Sequence, residues 1–402
     1  WLRPAGSRTH LGNFLQSVID GGAFEIVFRK LDQSLGILVR YPVSWVAVLI
    51  LAVVLWAVLA PSSRLGVRLT PLWRLPLLHA SVISVLVCVV IGWAINDSGI
   101  AIVGMGFMGR AHSSGWLESA RFFDPPVTPV LHTVYGRDLA RTQAFADRWG
   151  YARAAVAGEG LTVAGEIDLV DVLTPNDLHL PQAKAALEAG KAVACEKPLA
   201  GTLDDARAMA ELARRHKAPT FVWYNYRRCP AVALAARLVA EGKLGEITRV
   251  RASYLQSWAT PDVPLVWRFL KEPSGCGAMG DLNAHIVDMT RFVTGMEITD
   301  ICGAATGIFI PRRALPDGSG RTGAVTVDDT SIFLARWSNG ALGSFEACRQ
   351  ATGNFNRHGF EINGTRGALR FDFERMNELE YSDADAPRAT QGWANIMCTH
   401  AG

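Results

Sequence analysis

The sequence predicts a doubly wound parallel α/β unit, followed by an α+β unit on a large, mostly antiparallel sheet and preceded by a two-helix transmembrane hairpin. Three observations carry this: two charge-free apolar runs before residue 99, strands alternating with helical stretches over 100–224, and strand after strand beyond 246.

The composition agrees. The 402 residues are 50% hydrophobic and only 19% charged, with a mean hydropathy of +0.17, more apolar than one ordinary soluble domain. The excess is local, because residues 1–99 hold 8 Lys+Arg against 4 Asp+Glu and the other 303 hold 32 against 33. The apolar content excludes intrinsic disorder, and the net charge of +3, which belongs to the apolar end, argues against a nucleic-acid partner. Seven cysteines are scattered without a C-x-x-C pair, which predicts reduced thiols in a cytosolic setting and no cysteine zinc site.

Residues 43–60 (VSWVAVLILAVVLWAVLA) and 77–95 (LLHASVISVLVCVVIGWAI) carry no charge, and each approaches the roughly 20 residues that cross a hydrocarbon core. Between them Pro61, Pro71 and Pro76 break helices, while Arg64, Arg68 and Arg74 balance Arg29, Lys30 and Arg40 before the first run, so the positive-inside rule gives no orientation. The tract resembles a piece of a bacterial polytopic membrane protein.

The next element is IAIVGMGFMGRAH over 100–112: a strand, a glycine turn, then a helix. In a dinucleotide-binding βαβ unit Gly104 makes the tight turn, Gly106 admits the pyrophosphate, Gly109 lets helix and strand pack closely, and Phe107 and Met108 open the helix facing the phosphates. A carboxylate for the ribose is normally found about 20 residues on, at the second strand end. Here Gly136-Arg137-Asp138 stands there, and the guanidinium favours NADP over NAD, with Asp138 as a ribose ligand in the alternative.

Strands at 167–173, 192–195 and 220–224 alternate with helices at 181–189 and 203–216, and end in Thr174-Pro175-Asn176, Glu196-Lys197-Pro198 and Asn225-Tyr226-Arg227. Such sheets bind ligands at their strand C-termini. Strand patterns at 248–257, 298–310, 331–337, 341–347, 359–362 and 368–373, separated by turns such as Ser338-Asn339-Gly340, make the second unit α+β.

The motifs GMGFMGRAH, TPNDLH (174–179), ALEAGKAVACEKPLA (186–200), YNYR (224–227), WRF (267–269) and GDLNAHIVD (280–288) resemble, over 100–402, the glucose-fructose oxidoreductase / inositol dehydrogenase / rhizopine-catabolism (Gfo/Idh/MocA) family. The resemblance implies a Rossmann domain at 100–224, a substrate and oligomerisation domain at 225–402, a homo-oligomer formed through the sheet, and a cytoplasmic NAD(P)-dependent oxidoreductase acting on a sugar, inositol or similar polyol. It implies that Lys197 sits near nicotinamide and substrate, that His285 is the general base, and that Asn225, Tyr226, Trp267 and Arg268 line the pocket. Thr174, Asn176, His179 and Glu196 fall in its cofactor-side loops, His179 at a helix start where a structural role competes. Asp281, four residues before His285, shares its face on a helix and suits a carboxylate that orients the imidazole or holds a neighbouring hydroxyl. The substrate set is thus Lys197, Tyr226, Asp281 and His285, with no metal.

Two other readings stay open: an NAD-dependent glycoside hydrolase of this fold, and a non-catalytic membrane-tethered nucleotide sensor. Residues 96–99 span at most about 14 Å between the second apolar run and the first strand. With Trp1 in place of a methionine, and a family pattern that continues past Gly402, the expectation is a C-terminally truncated enzyme whose residues 1–99 came from elsewhere by artificial fusion.

Overall fold

β1 (Asp97–Val103) is buried from residue 99 to 103, as a strand covered on both faces must be. It pairs in parallel with β2 (Thr128–Gly136) and β4 (Leu169–Val172). With β3 (Arg153–Val156), β5 (Ala192–Cys195) and β6 (Thr220–Val222) it forms a six-stranded sheet of order β3-β2-β1-β4-β5-β6, parallel throughout. The order reverses between β1 and β4, and a ligand crevice opens at the strand C-termini there. The crossovers are α1 (Phe107–Phe122), α2 (Leu139–Trp149), α3 (His179–Glu188) and α4 (Leu203–His216). α4 shows why its segment is helical: Thr202 accepts the Asp205 N–H at its start, Asp204 and Asp205 lie in its first turn, and Arg214, Arg215 and His216 lie in its last.

This is a computed structural model that describes residues 97–123, 125–157 and 163–399. The predicted hairpin at 43–60 and 77–95, and its orientation, lie outside the described residues. Among the described residues no helix is long and apolar enough to cross a membrane.

The second sheet has eight strands in the order β16-β15-β14-β13-β7-β12-β11-β8. They are β7 (Ile247–Leu255), β8 (Ile298–Gly307), β11 (Thr330–Trp337), β12 (Leu342–Cys348), β13 (Arg357–Gly364), β14 (Gly367–Asp372), β15 (Glu378–Asp383) and β16 (Trp393–Met397), while β9 (Arg312–Ala314) and β10 (Thr322–Ala324) form a separate hairpin. One face packs on α5 (Pro230–Ala240) and α6 (Ala284–Thr294) through Val232, Ile286, Met289 and Phe345. The other face is open: β11 alternates, burying Phe333, Ala335 and Trp337 and exposing Ile332 and Leu334.

The mostly antiparallel expectation holds except for β7 and β12, which run parallel, Ala252 beside Phe345. Between them the chain passes through α6, β8 and β11 and returns in the same direction. Side-chain alternation reports burial, not strand direction, so the sequence pattern could not show this pair.

Candidate active site

The crevice begins at the β1–α1 turn. Gly104 has a φ of +113°, and a Cβ there would lie 2.7 Å from the Leu173 carbonyl oxygen. A Cβ on Gly109 would lie 2.4 Å from the Gly104 carbonyl oxygen, whereas one on Gly106 would meet nothing within 4 Å. α1 starts at Phe107 with no side-chain cap and no acidic residue in its first turn. Uncapped N–H groups at a 16-residue helix start, behind a glycine that leaves open space, fit a dinucleotide pyrophosphate. Phe107 is exposed and Met108 partly so.

Around that cradle the predicted residues separate. Arg137 is exposed, while the Asp138 carboxylate caps α2 by accepting the Arg141 N–H at 2.8 Å. Thr174 donates to Gln182 Oε1 (2.7 Å) and Asn176 to the Ser274 carbonyl (2.8 Å). His179 is fully buried, with its ring nitrogens on the carbonyls of Thr174, Pro198 and Leu199, and burial lowers its pKa. Both ring nitrogens face protein carbonyls, so the side chain ties two strand-end loops together, which corrects its place in the cofactor set. Glu196 is buried and accepts the Lys197 N–H (3.1 Å). Asn225 is exposed on a short helical turn, and the Arg268 guanidinium lies 4.4 Å over the Trp267 ring.

Lys197 and Asp281 are brought together with His285. Lys197 Nζ donates to Asp281 Oδ1 (2.9 Å) and to the Asp281 carbonyl (3.2 Å). The other oxygen, Oδ2, accepts from Arg349 Nη2 (2.9 Å), whose Nη1 reaches the Arg268 carbonyl (3.0 Å). Burial alone would raise the Asp281 pKa, but Lys197 and Arg349 hold its carboxyl well below the usual range. The carboxylate is therefore committed to two cations and does not orient His285. The reason is tertiary: 279–283 is a π-helical turn running into α6 at Ala284, and Lys197 and Arg349, brought in from the two different sheets, take up the two carboxylate oxygens of Asp281.

His285 is buried with Nδ1 unpartnered. Burial first, then Lys197 and His358, hold its pKa well below 6.5, and Asp281 offsets only part of this. The Tyr226 ring lies 4.7 Å away. Tyr226 donates to the Tyr254 hydroxyl (2.8 Å), since Tyr254 donates to Asn356 Oδ1 (2.9 Å). His358 packs on Tyr226 with both ring nitrogens buried and unpartnered, and burial lowers its pKa to about 3.

Arg349, Tyr254 and His358 were not singled out from the sequence. Parity held a signal for Arg349: residues 343, 345 and 347 face inward, and the next inward position carries a charge that is 1% exposed. Asp288 pairs with Arg227 in a bidentate fork.

A parallel sheet with an uncapped, glycine-lined helix start and an acid-base cluster at its strand ends is the framework of a nicotinamide-dependent oxidoreductase. Residues 98–224 match the oxidoreductase family with an NAD-binding Rossmann fold, and 232–370 match the GFO/IDH/MocA C-terminal domain. The chain is 38% identical over 310 residues, 74% of its own length and 79% of the relative's, to the levoglucosan dehydrogenase of Pseudarthrobacter phenanthrenivorans. It resembles the crystal structure of an oxidoreductase domain protein from Kribbella flavida, with a TM-score of 0.73, 44% identity and 76% and 82% of the two chains covered. A levoglucosan dehydrogenase complex with NADH and L-sorbose gives a TM-score of 0.72, 38% identity and 75% and 80% coverage. The chain belongs to the Gfo/Idh/MocA family of oxidoreductases.

Proposed function

We propose that this enzyme interconverts a secondary hydroxyl and a ketone on a neutral sugar, anhydrosugar or cyclic polyol. The observation that carries the reading is the pairing of a neutral buried imidazole with an ammonium anchored beside it. An ammonium has three N–H donors; two of those of Lys197 are engaged by Asp281, and the third is left for the substrate oxygen. His285 keeps a lone pair at neutral pH, and with Nδ1 buried the proton of the substrate hydroxyl is taken at Nε2. When bound, nicotinamide supplies the hydride acceptor, or the donor in reverse. Lys197 stabilises negative charge on the substrate oxygen as the proton leaves, and Asp281 offsets the positive charge gained by His285.

The relatives reported above that are named for an activity are dehydrogenases, and neither the hydrolase nor the sensor reading is favoured. Arg137, exposed at the end of β2, supports NADP over NAD, since the neighbouring Asp138 carboxylate is engaged as a helix cap. A second copy of the chain covering the open sheet face is supported by its exposed Ile332, Leu334 and Leu342.

The test is the full chain assayed with NAD⁺ and NADP⁺ against anhydrosugars, aldoses and inositols. His285→Ala and Lys197→Ala should each lose about 10² or more in turnover, the scale of acid-base catalysis, while still quenching tryptophan fluorescence with the reduced form of the preferred cofactor, NADPH or NADH. Near-normal rates in either variant would overturn the assignment.

A further inference from the structure

The mechanism leaves one buried ionisable cluster unused. His112 projects from α1 between two carboxylates: Nδ1 is 2.9 Å from Asp171 Oδ2, and Nε2 is 3.1 Å from Glu196 Oε1. The three side chains are 10%, 0% and 9% exposed. Asp171, in the middle of apolar β4, also accepts the indole N–H groups of Trp116 (2.9 Å) and Trp223 (2.8 Å), and the Trp223 ring stands edge-on to His112 with centroids 4.9 Å apart. Glu196 directly follows β5, and its second oxygen accepts the backbone N–H of Lys197.

The chemistry of these contacts fixes the state of the ring. A neutral imidazole has one N–H and one lone pair, so it would turn a lone pair toward one carboxylate; only the imidazolium donates from both nitrogens. Two carboxylates in a dry site without a cation would repel, and one would take up a proton. Burial lowers the pKa of His112, but the hydrogen bonds and charges of Asp171 and Glu196 outweigh it and raise the pKa to about 9. Those two carboxylates are the charges that act on the ring. Cys195 and Tyr151, which also feel Asp171, are held protonated by burial.

We propose that His112 is a positioning residue for the dehydrogenase reaction, a buried imidazolium that fastens the cofactor-side helix α1 to the Glu196–Lys197 corner and so sets the backbone from which Lys197 reaches Asp281. The inference rests on the reading above, in which Lys197 holds the substrate oxygen. It runs through contiguous bonds: α1 to Glu196 through His112, Glu196 to the Lys197 N–H, and Lys197 Nζ to Asp281.

The test uses the full chain and its best substrate from the panel. Displacing a catalytic group by about 1 Å can cost roughly 10²-fold, so His112→Gln should lower kcat about ten- to a hundredfold, with the dissociation constant of the preferred reduced cofactor, NADPH or NADH, and the substrate KM within about threefold. In the wild type kcat should fall as pH rises through about 9, and this limb should be missing in His112→Gln. Adding Asp171→Asn to His112→Gln removes one of the two uncompensated carboxylates but does not restore the link to Glu196, and should recover only part of the lost kcat. Should His112→Gln fail to fold, ¹⁵N-histidine NMR of the wild type decides: two protonated ring nitrogens at pH 8 are expected, and a singly protonated ring overturns the proposal. Wild-type kcat in His112→Gln, while His285→Ala and Lys197→Ala remain impaired, overturns the positioning role alone. A wild type without dehydrogenase activity overturns both readings.

Discussion

Arg349 is the residue on which the electrostatics of the site turn. It is 1% exposed and contacts Asp281 and the Arg268 carbonyl, so its loss leaves the largely buried Asp281 with the Lys197 ion pair and the charge of Arg268. Breaking a buried pair by removing one partner costs about 3–5 kcal/mol, and Arg349→Met should destabilise by roughly the lower figure in urea titrations while lowering kcat at least tenfold, on the order of one lost electrostatic contact. Arg349→Lys keeps the charge but not the planar fork, and should fall between. His285 gives a pH prediction of definite sign. Its folded pKa lies well below 6.5, so the base stays unprotonated at pH 6.5 and the acid limb of kcat/KM for oxidation should lie below that value. His358, lowered to about 3, acts with it on stability. Both rings accept protons more readily when unfolded, so their contribution is intact above pH 6.5 and is lost as pH falls from there toward 3. A stability plateau continuing unchanged from pH 7 to pH 4 would contradict buried neutral rings. The sequence exposed Lys197, Asp281 and His285 because their motifs are contiguous. Arg349 and His358 lie 68 and 73 residues beyond Asp281 and His285, and only strand pairing brings them in.

At the scale of elements, the β1–α1 turn separates two roles for glycine. A Cβ on Gly109 would drive into the Gly104 carbonyl at 2.4 Å, but one on Gly106 meets nothing within 4 Å. Gly109→Ala should therefore lower the melting temperature of the free protein as well as weaken NADH binding. Gly106→Ala should leave the melting temperature within about 1 °C, because it meets no atom, and still raise the NADH dissociation constant about tenfold or more, as expected if the open space is where the pyrophosphate approaches. Equal melting losses in both would show that the open space at Gly106 is not a cradle. Elements with a strong local signal were legible: β5 and α4 fall at their expected boundaries. α2, α5, β3, β15 and β16 were not marked. β3 is short and only partly buried, with the pattern eiie, and β16 is nearly all exposed, with eeeie, so neither carries a clear two-residue alternation. The π-helical turn at 279–283 is likewise invisible to a helical period, and the spacing of Asp281 and His285 could not show that Lys197 and Arg349 take up the carboxylate.

At the scale of the molecule, charge counted by segment separated an apolar beginning from an ordinary α/β remainder, and the strand rhythm separated a parallel from a mostly antiparallel sheet; the length of each apolar run made a hairpin the natural reading of residues outside the described region. What the alternation of β11 could not tell is what meets its outer face. Ile332 and Leu334 point away from the core, Leu342 of neighbouring β12 is exposed, and Ile301 of edge strand β8 is exposed beside them. These side chains are already about half covered, so each one withdrawn from water contributes on the order of 1 kcal/mol, roughly half the value for full burial, and a symmetric pairing that covers this face in two copies gains from twice that set. Light scattering coupled to size exclusion should give a mass of at least two chains at micromolar concentration. Ile332→Glu with Leu334→Lys places buried charge at the centre of that pairing and should yield a monomer with an unchanged circular dichroism spectrum, because both positions lie on the side of β11 that the core does not use. A monomeric wild type, or an assembly that withstands both substitutions, would show that another surface joins the copies or that none does.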